Sequence, residues 1–180
     1  MHIYTEQDAE ALRRAYVALM GAEADALLLC AMPPLFAMPE KLVRELVEQT
    51  GDEALLLLWR HELTVFRRYI KKHRLSVTLL DPALAVLAPE ALCALATGSD
   101  TVRKLPYTNA QYAMHIDRLR QLQKQYENLR VRFRTDVSRN ILLHVKENTG
   151  VIMEKTDRPI SAFVFNDRTM IDAFWDYLMA

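Results

Sequence analysis

The chain has 180 residues, 51% of them apolar, with 23 basic and 23 acidic side chains that cancel. That suits one domain whose hydrophobic core needs no metal or disulfide, and it excludes overall charge as a reason to bind nucleic acid or an anionic lipid surface. Cys30 and Cys93 lie far apart in apolar surroundings, which excludes a disulfide framework and a paired-cysteine zinc site and predicts reduced thiols in a cytoplasmic protein.

The opening residues, MHIYTEQDAEALRR, lack the positive-then-apolar order of an export signal, and His2 is expected to fray with the terminus. Thr5 and Asp8 start a helical period in which Ala9, Leu12, Tyr16 and Leu19 share a face, so a first helix is predicted to end near Gly21. Asp25 to Met32 is an apolar run halted by Pro33 and Pro34 and is read as a buried strand, with a short buried helix as the alternative. Pro39 opens a helix with Leu42, Val43, Leu46 and Val47 on its buried stripe, and Gly51 stops it. Asp52 can cap a longer helix that carries Leu55, Leu56, Trp59, Leu63, Phe66 and Ile70 at helical spacing through Lys72.

Leu75 to Leu80 reads as a strand ended by Asp81 and Pro82. The Ala-rich stretch from Pro82 is expected to make one or two short helical turns, with Gly98 to Lys104 as a mobile loop. Thr108 and Gln111 fit a capping box, and Tyr112, His115, Ile116, Leu119, Leu122 and Tyr126 carry the next helix to about Glu127. Arg130 to Arg134 alternates basic and apolar, as a half-exposed strand does. The period then stays at two. Ile141 to Lys146, Gly150 to Lys155 and Ser161 to Phe165 predict a three-stranded antiparallel meander, and Asn166 or Asp167 caps a closing helix with Met170, Ile171, Phe174, Trp175 and Leu178 toward the sheet. The fold class expected is α/β (α+β), a mixed sheet flanked by helices. No apolar run approaches the roughly 18 residues of a membrane span, so no membrane is expected as a partner.

The chain has only four glycines and none in a phosphate-cradling loop, so P-loop and dinucleotide fingerprints are absent. Gly-x-Ser-x-Gly, His-Glu-x-x-His and Cys-x-x-Cys are missing too, and no metal or cofactor is expected. A basic concentration runs from Arg60 to Arg74, with Arg67, Arg68, Lys71 and Lys72 as a candidate nucleic-acid face; the plainer reading is a solvated helix face. His115 lies on an apolar stripe, where a hydrogen-bonded core histidine is commoner than a ligand. Tyr107, Tyr112 and Trp175 would line a ligand pocket if the closing helix packed beside the helix from Thr108; the alternative is core packing.

ILLHVK places His144 and Lys146 two residues apart on one strand and so on one face. This pair resembles the first half of the His-x-Lys motif of the phospholipase D superfamily, and the element order from Thr108 to Ala180 is similar to domains of that family. The chain departs from the pattern in two ways. Val151 holds the place of the aspartate five residues after the lysine, and the chain contains no second copy of the motif. The combination looks like the phospholipase D-like effector domains of some bacterial transcription regulators, which have lost the catalytic set. The resemblance implies a phospholipase D-like fold and a non-catalytic regulatory domain that binds a small effector, at His144, Lys146 and the aromatic positions, or forms a homodimer. It also implies that DNA is contacted only through a helix-turn-helix segment outside these residues, in a longer regulator. The alternatives are a phosphodiesterase with His144 as nucleophile in a dimer-shared site, and direct nucleic-acid binding through Arg60 to Arg74 with Arg130, Arg132 and Arg134.

Overall fold

The computed structural model describes residues 1–84, 92–93, 102–103, 108–155, 157, 159 and 161–180. Seven strands form one mixed sheet: β1 (His2–Thr5), β2 (Ala26–Cys30), β3 (Leu75–Leu80), β6 (Leu129–Arg134), β7 (Ile141–Lys146), β8 (Gly150–Lys155) and β9 (Ser161–Phe165). Their order is β1-β9-β8-β7-β2-β3-β6. The β2–β3 and β3–β6 pairs are parallel and the other pairs antiparallel. A separate ladder joins β4 (Leu92–Cys93) to β5 (Val102–Arg103).

The helices are α1 (Ala9–Met20), α2 (Glu40–Thr50), α3 (Ala54–Tyr69), α4 (Asn109–Gln125) and α5 (Arg168–Met179). They divide unequally between the two faces. On the first face, α2, α3, α4 and the short turn Leu35–Ala37 bury Leu42, Leu55, Phe66 and Leu119 against Leu28, Val77 and Leu129. Beside them α1 sets Leu12, Tyr16 and Leu19 against Ile152, Ala162 and Val164. On the second face α5 packs Ile171 and Leu178 on Leu27, Leu29, Leu143, Val145 and Val151. When consecutive parallel strands step in one direction, right-handed crossovers put their helices on one side, which accounts for α3 and α4 sharing a face.

Local chemistry explains the boundaries. Thr5 and Asp8 form the capping box ahead of α1, with Asp8 Oδ2 accepting from the Thr5 N–H at 2.9 Å. Gly51 ends α2 at φ 70°, the left-handed conformation that glycine tolerates best. Thr108 and Gln111 close the capping box of α4 at 3.2 and 2.9 Å. Asp167 caps α5 by accepting from the Met170 N–H at 3.2 Å.

Several expectations need correction. The three-stranded meander forms as expected from β7, β8 and β9, but the terminus at His2 is itself an edge strand, β1, paired antiparallel with β9. Four residues without an apolar stripe carry too little pattern to announce such a strand. Glu53, not Asp52, occupies the cap position of α3, and the helix ends at Tyr69, before Lys72. The Ala-rich turns and the loop from Gly98 lie largely outside the described residues; within them, Leu92–Cys93 and Val102–Arg103 are extended, not helical. Finally, α4 and α5 lie on opposite faces, so Tyr112 and Trp175 belong to different cores and line no common pocket.

Candidate functional site

The register puts His144 and Lys146 on the first face, as their spacing predicts, and in the middle of the sheet. His144 stands in a row that runs Val164, Ile152, His144, Leu28, Val77, Val131 across six strands. Its neighbours in the row are all aliphatic, and α1 closes over it. The imidazole meets the Tyr16 ring edge-on, with centroids 5.4 Å apart, and Tyr16 donates its hydroxyl proton to Glu154 Oε2 at 2.7 Å. His144 Nε2 has no hydrogen-bond partner among the described residues. Burial, and secondarily the positive charge of Lys146, pushes the His144 pKa down to about 3, so the ring is neutral at physiological pH.

Lys146 is 1% exposed. Its ammonium donates to Ala22 O at 2.9 Å and Ala24 O at 3.5 Å and sits 4.1 Å from the centroid of the Tyr69 ring. Tyr69 in turn donates to Ala24 O at 2.5 Å. Burial lowers the Lys146 pKa to about 8, against the opposing pull of Glu23 and Asp25. The lysine is a brace that ties the loop between α1 and β2 to α3 and β7. Val151, which holds the place of the family's aspartate, is buried on the second face with α5, away from both residues. His144 and Lys146 therefore share a face without sharing a cleft, and neither presents its reactive nitrogen to solvent.

The remaining candidates are dispersed. His115 Nε2 is 2.8 Å from Pro34 O; a carbonyl only accepts, so this nitrogen carries the proton. Burial drives the His115 pKa down to about 3. The Tyr112 hydroxyl is buried without a partner among the described residues, and Tyr107 lies outside them. Trp175 lines a small pocket of about 110 Å³ with Leu27, Arg74, Arg130 and Met179. Arg68, Lys71 and Lys72 are exposed on or just beyond α3. The strand arginines belong to the other side of the sheet: Arg132 donates to Met179 O at 3.1 Å and Arg134 to Tyr177 O at 3.4 Å, both in the last turn of α5. There the cations meet the negative end of the helix dipole. The two basic segments meet only where Arg74 and Arg130 line the Trp175 pocket, and Arg132 and Arg134 are not continuous with the exposed cations of α3.

A cleft of about 460 Å³ opens instead between α3 and α4. Phe36, Met38, Trp59 and Leu63 give it apolar walls, and Arg60, Thr64, Arg67, Arg118 and Glu40 supply its polar groups. Of the candidates read from sequence as binding residues, Arg60 and Arg67 line it. The spacing Arg60, Leu63, Thr64, Arg67 puts these four on one side of a helix, a signal available in the sequence. Arg118 and the Leu35–Ala37 turn arrive through tertiary packing alone. Among the described residues, no group of histidine, cysteine and carboxylate side chains is arranged to hold a metal. No helix of the described residues is long and apolar enough to cross a membrane. The chain was compared with protein-family models, curated proteins and solved structures, and none matches it.

Proposed function

We propose that this chain is a non-catalytic regulatory domain that senses a small effector, as the resemblance to phospholipase D-like domains of bacterial transcription regulators implies. In this reading it works in the cytoplasm as a homodimer, and DNA is contacted by a helix-turn-helix segment outside these 180 residues. The observation that carries the reading is the use made of the His-x-Lys pair. A nucleophilic histidine must reach a phosphorus atom, and the lysine must reach the phosphate oxygens. Here His144 is walled in by Tyr16 and aliphatic neighbours, while the Lys146 ammonium is spent on two backbone carbonyls and a tyrosine ring. The motif serves as core.

Incubation with bis(4-nitrophenyl) phosphate tests this. Wild type and His144→Ala are both expected to release nitrophenol at the rate of buffer alone. Turnover by the wild type that disappears in His144→Ala would refute the regulatory reading in favour of a phosphodiesterase.

A further inference from the structure

We propose that the cleft between α3 and α4 is a binding site for a small organic oxyanion, a phosphate monoester or carboxylate attached to a compact apolar ring. The assignment deepens the regulatory reading by naming the class of effector and its seat, and it stands on four features of the cleft.

The first is size. About 460 Å³ falls within the range of roughly 300–1,000 Å³ common for small-molecule sites. The second is charge left without a counterpart. Several arginines elsewhere are matched by carboxylates, Arg13 by Glu10, Arg74 by Asp25, Arg120 by Asp117, Arg134 by Asp136 and Arg168 by Asp172, while Arg14, Arg68 and Arg130, unmatched among the described residues, line no part of this cleft. Arg60, Arg67 and Arg118 have no carboxylate partner among the described residues; Arg118 donates only to the neutral Gln121 side chain, at 3.2 Å. Glu40 also lines the cleft but pairs with Arg44, which donates to its Oε1 at 2.6 and 3.1 Å, and forms no ion pair with the other three. Arg60, Arg67 and Arg118 all line this one concavity. Their planar forks match the oxygens of phosphate and carboxylate alike.

The third feature is the floor. Phe36 is stacked on Phe66 with ring centroids 4.1 Å apart, and Trp59 donates its indole N–H to Met38 O at 3.0 Å. The donor is already used and the rings are fixed in place, so the small part of Phe36 and Trp59 that faces the cleft, at 4% and 6% exposure, meets a ligand at little cost in ordering. The fourth is shape. The lining is concave and includes neither Arg68, Lys71 nor Lys72, which distinguishes it from the extended basic stripe that a nucleic-acid backbone needs.

The chain has two tryptophans, and Trp175 lies on the other face of the sheet, so a Trp175→Phe chain reports from Trp59 alone. This chain is titrated with phenyl phosphate, with phthalate and with neutral benzamide. A saturable change in Trp59 emission is expected with phenyl phosphate or phthalate and none with benzamide, and the stronger of the two responses identifies the head group. Arg67→Ala and Arg60→Ala, both at exposed positions, are expected to weaken binding at least tenfold. Arg68→Ala is expected to leave it within twofold.

The site is refuted if no anion gives a saturable response, if Arg67→Ala and Arg60→Ala bind as the parent does, or if only duplex DNA perturbs Trp59. In the first two cases the regulatory reading survives so long as the phosphodiester assay stays at background, whereas a response to duplex DNA alone favours direct nucleic-acid binding in its place. Turnover that depends on His144 would remove that reading whatever the cleft binds.

Discussion

A histidine and a lysine two positions apart on a strand have very different meanings in an open cleft and in a closed core. For Lys146 the distinction can be measured. Truncation to alanine removes a fully buried aliphatic stem and the cation over Tyr69, and it strands the Ala22 carbonyl to which the ammonium was bonded. Losses of these kinds each cost about 1–3 kcal/mol. Lys146→Ala is therefore expected to lower the free energy of unfolding by about 2–4 kcal/mol, read as a shift of the urea midpoint. A lysine kept for substrate contact would give a variant as stable as the parent. The sequence shows that the pair shares a face. It does not show that Tyr16, from a helix more than a hundred residues earlier, seals that face, because burial depends on what packs above a residue and not on its own spacing.

Among the elements, α4 and the antiparallel strands are the most legible, since each carries its own start signal and an undisturbed period. The Thr108 box contributes two hydrogen bonds to the first turn of α4. Thr108→Ala removes the side-chain acceptor for the Gln111 N–H, and it is expected to destabilise the protein by about 1 kcal/mol in urea denaturation. The least legible elements are those whose identity depends on a neighbour. β1 is a strand because β9 offers it an edge. The arginines of β6 look from the sequence like a solvated or phosphate-binding face, yet Arg132 and Arg134 cap the last turn of α5. That contact joins segments more than forty residues apart, and no local pattern encodes it.

The molecule as a whole should respond to acid through its two neutral core histidines. Folding lowers the pKa of both His115 and His144 from 6.5 to about 3. Between those values the unfolded chain binds protons that the folded chain does not, so stability is complete above about pH 6.5 and falls as the pH drops toward 3. Each histidine contributes a slope of about 1.4 kcal/mol per pH unit within that window, or about 3 for the two together. Urea denaturation at pH 7 and pH 5 should show the loss. His144→Leu, which replaces an imidazole bearing an unbonded Nε2 with an apolar side chain, should roughly halve the slope; an unchanged slope would mean that His144 is not the neutral group described here. By itself the sequence determined the α/β class, most helix and strand boundaries, the antiparallel hairpins and the common face of His144 and Lys146. These follow from periodicity, caps and turns, which act over a few residues. Only the tertiary structure decided that this face is closed, that Tyr112 and Trp175 lie on opposite sides of the sheet, and that Arg118 joins Arg60 and Arg67 over an aromatic floor. Such relations arise from strand order and helix packing, which bring together side chains that share no local signal.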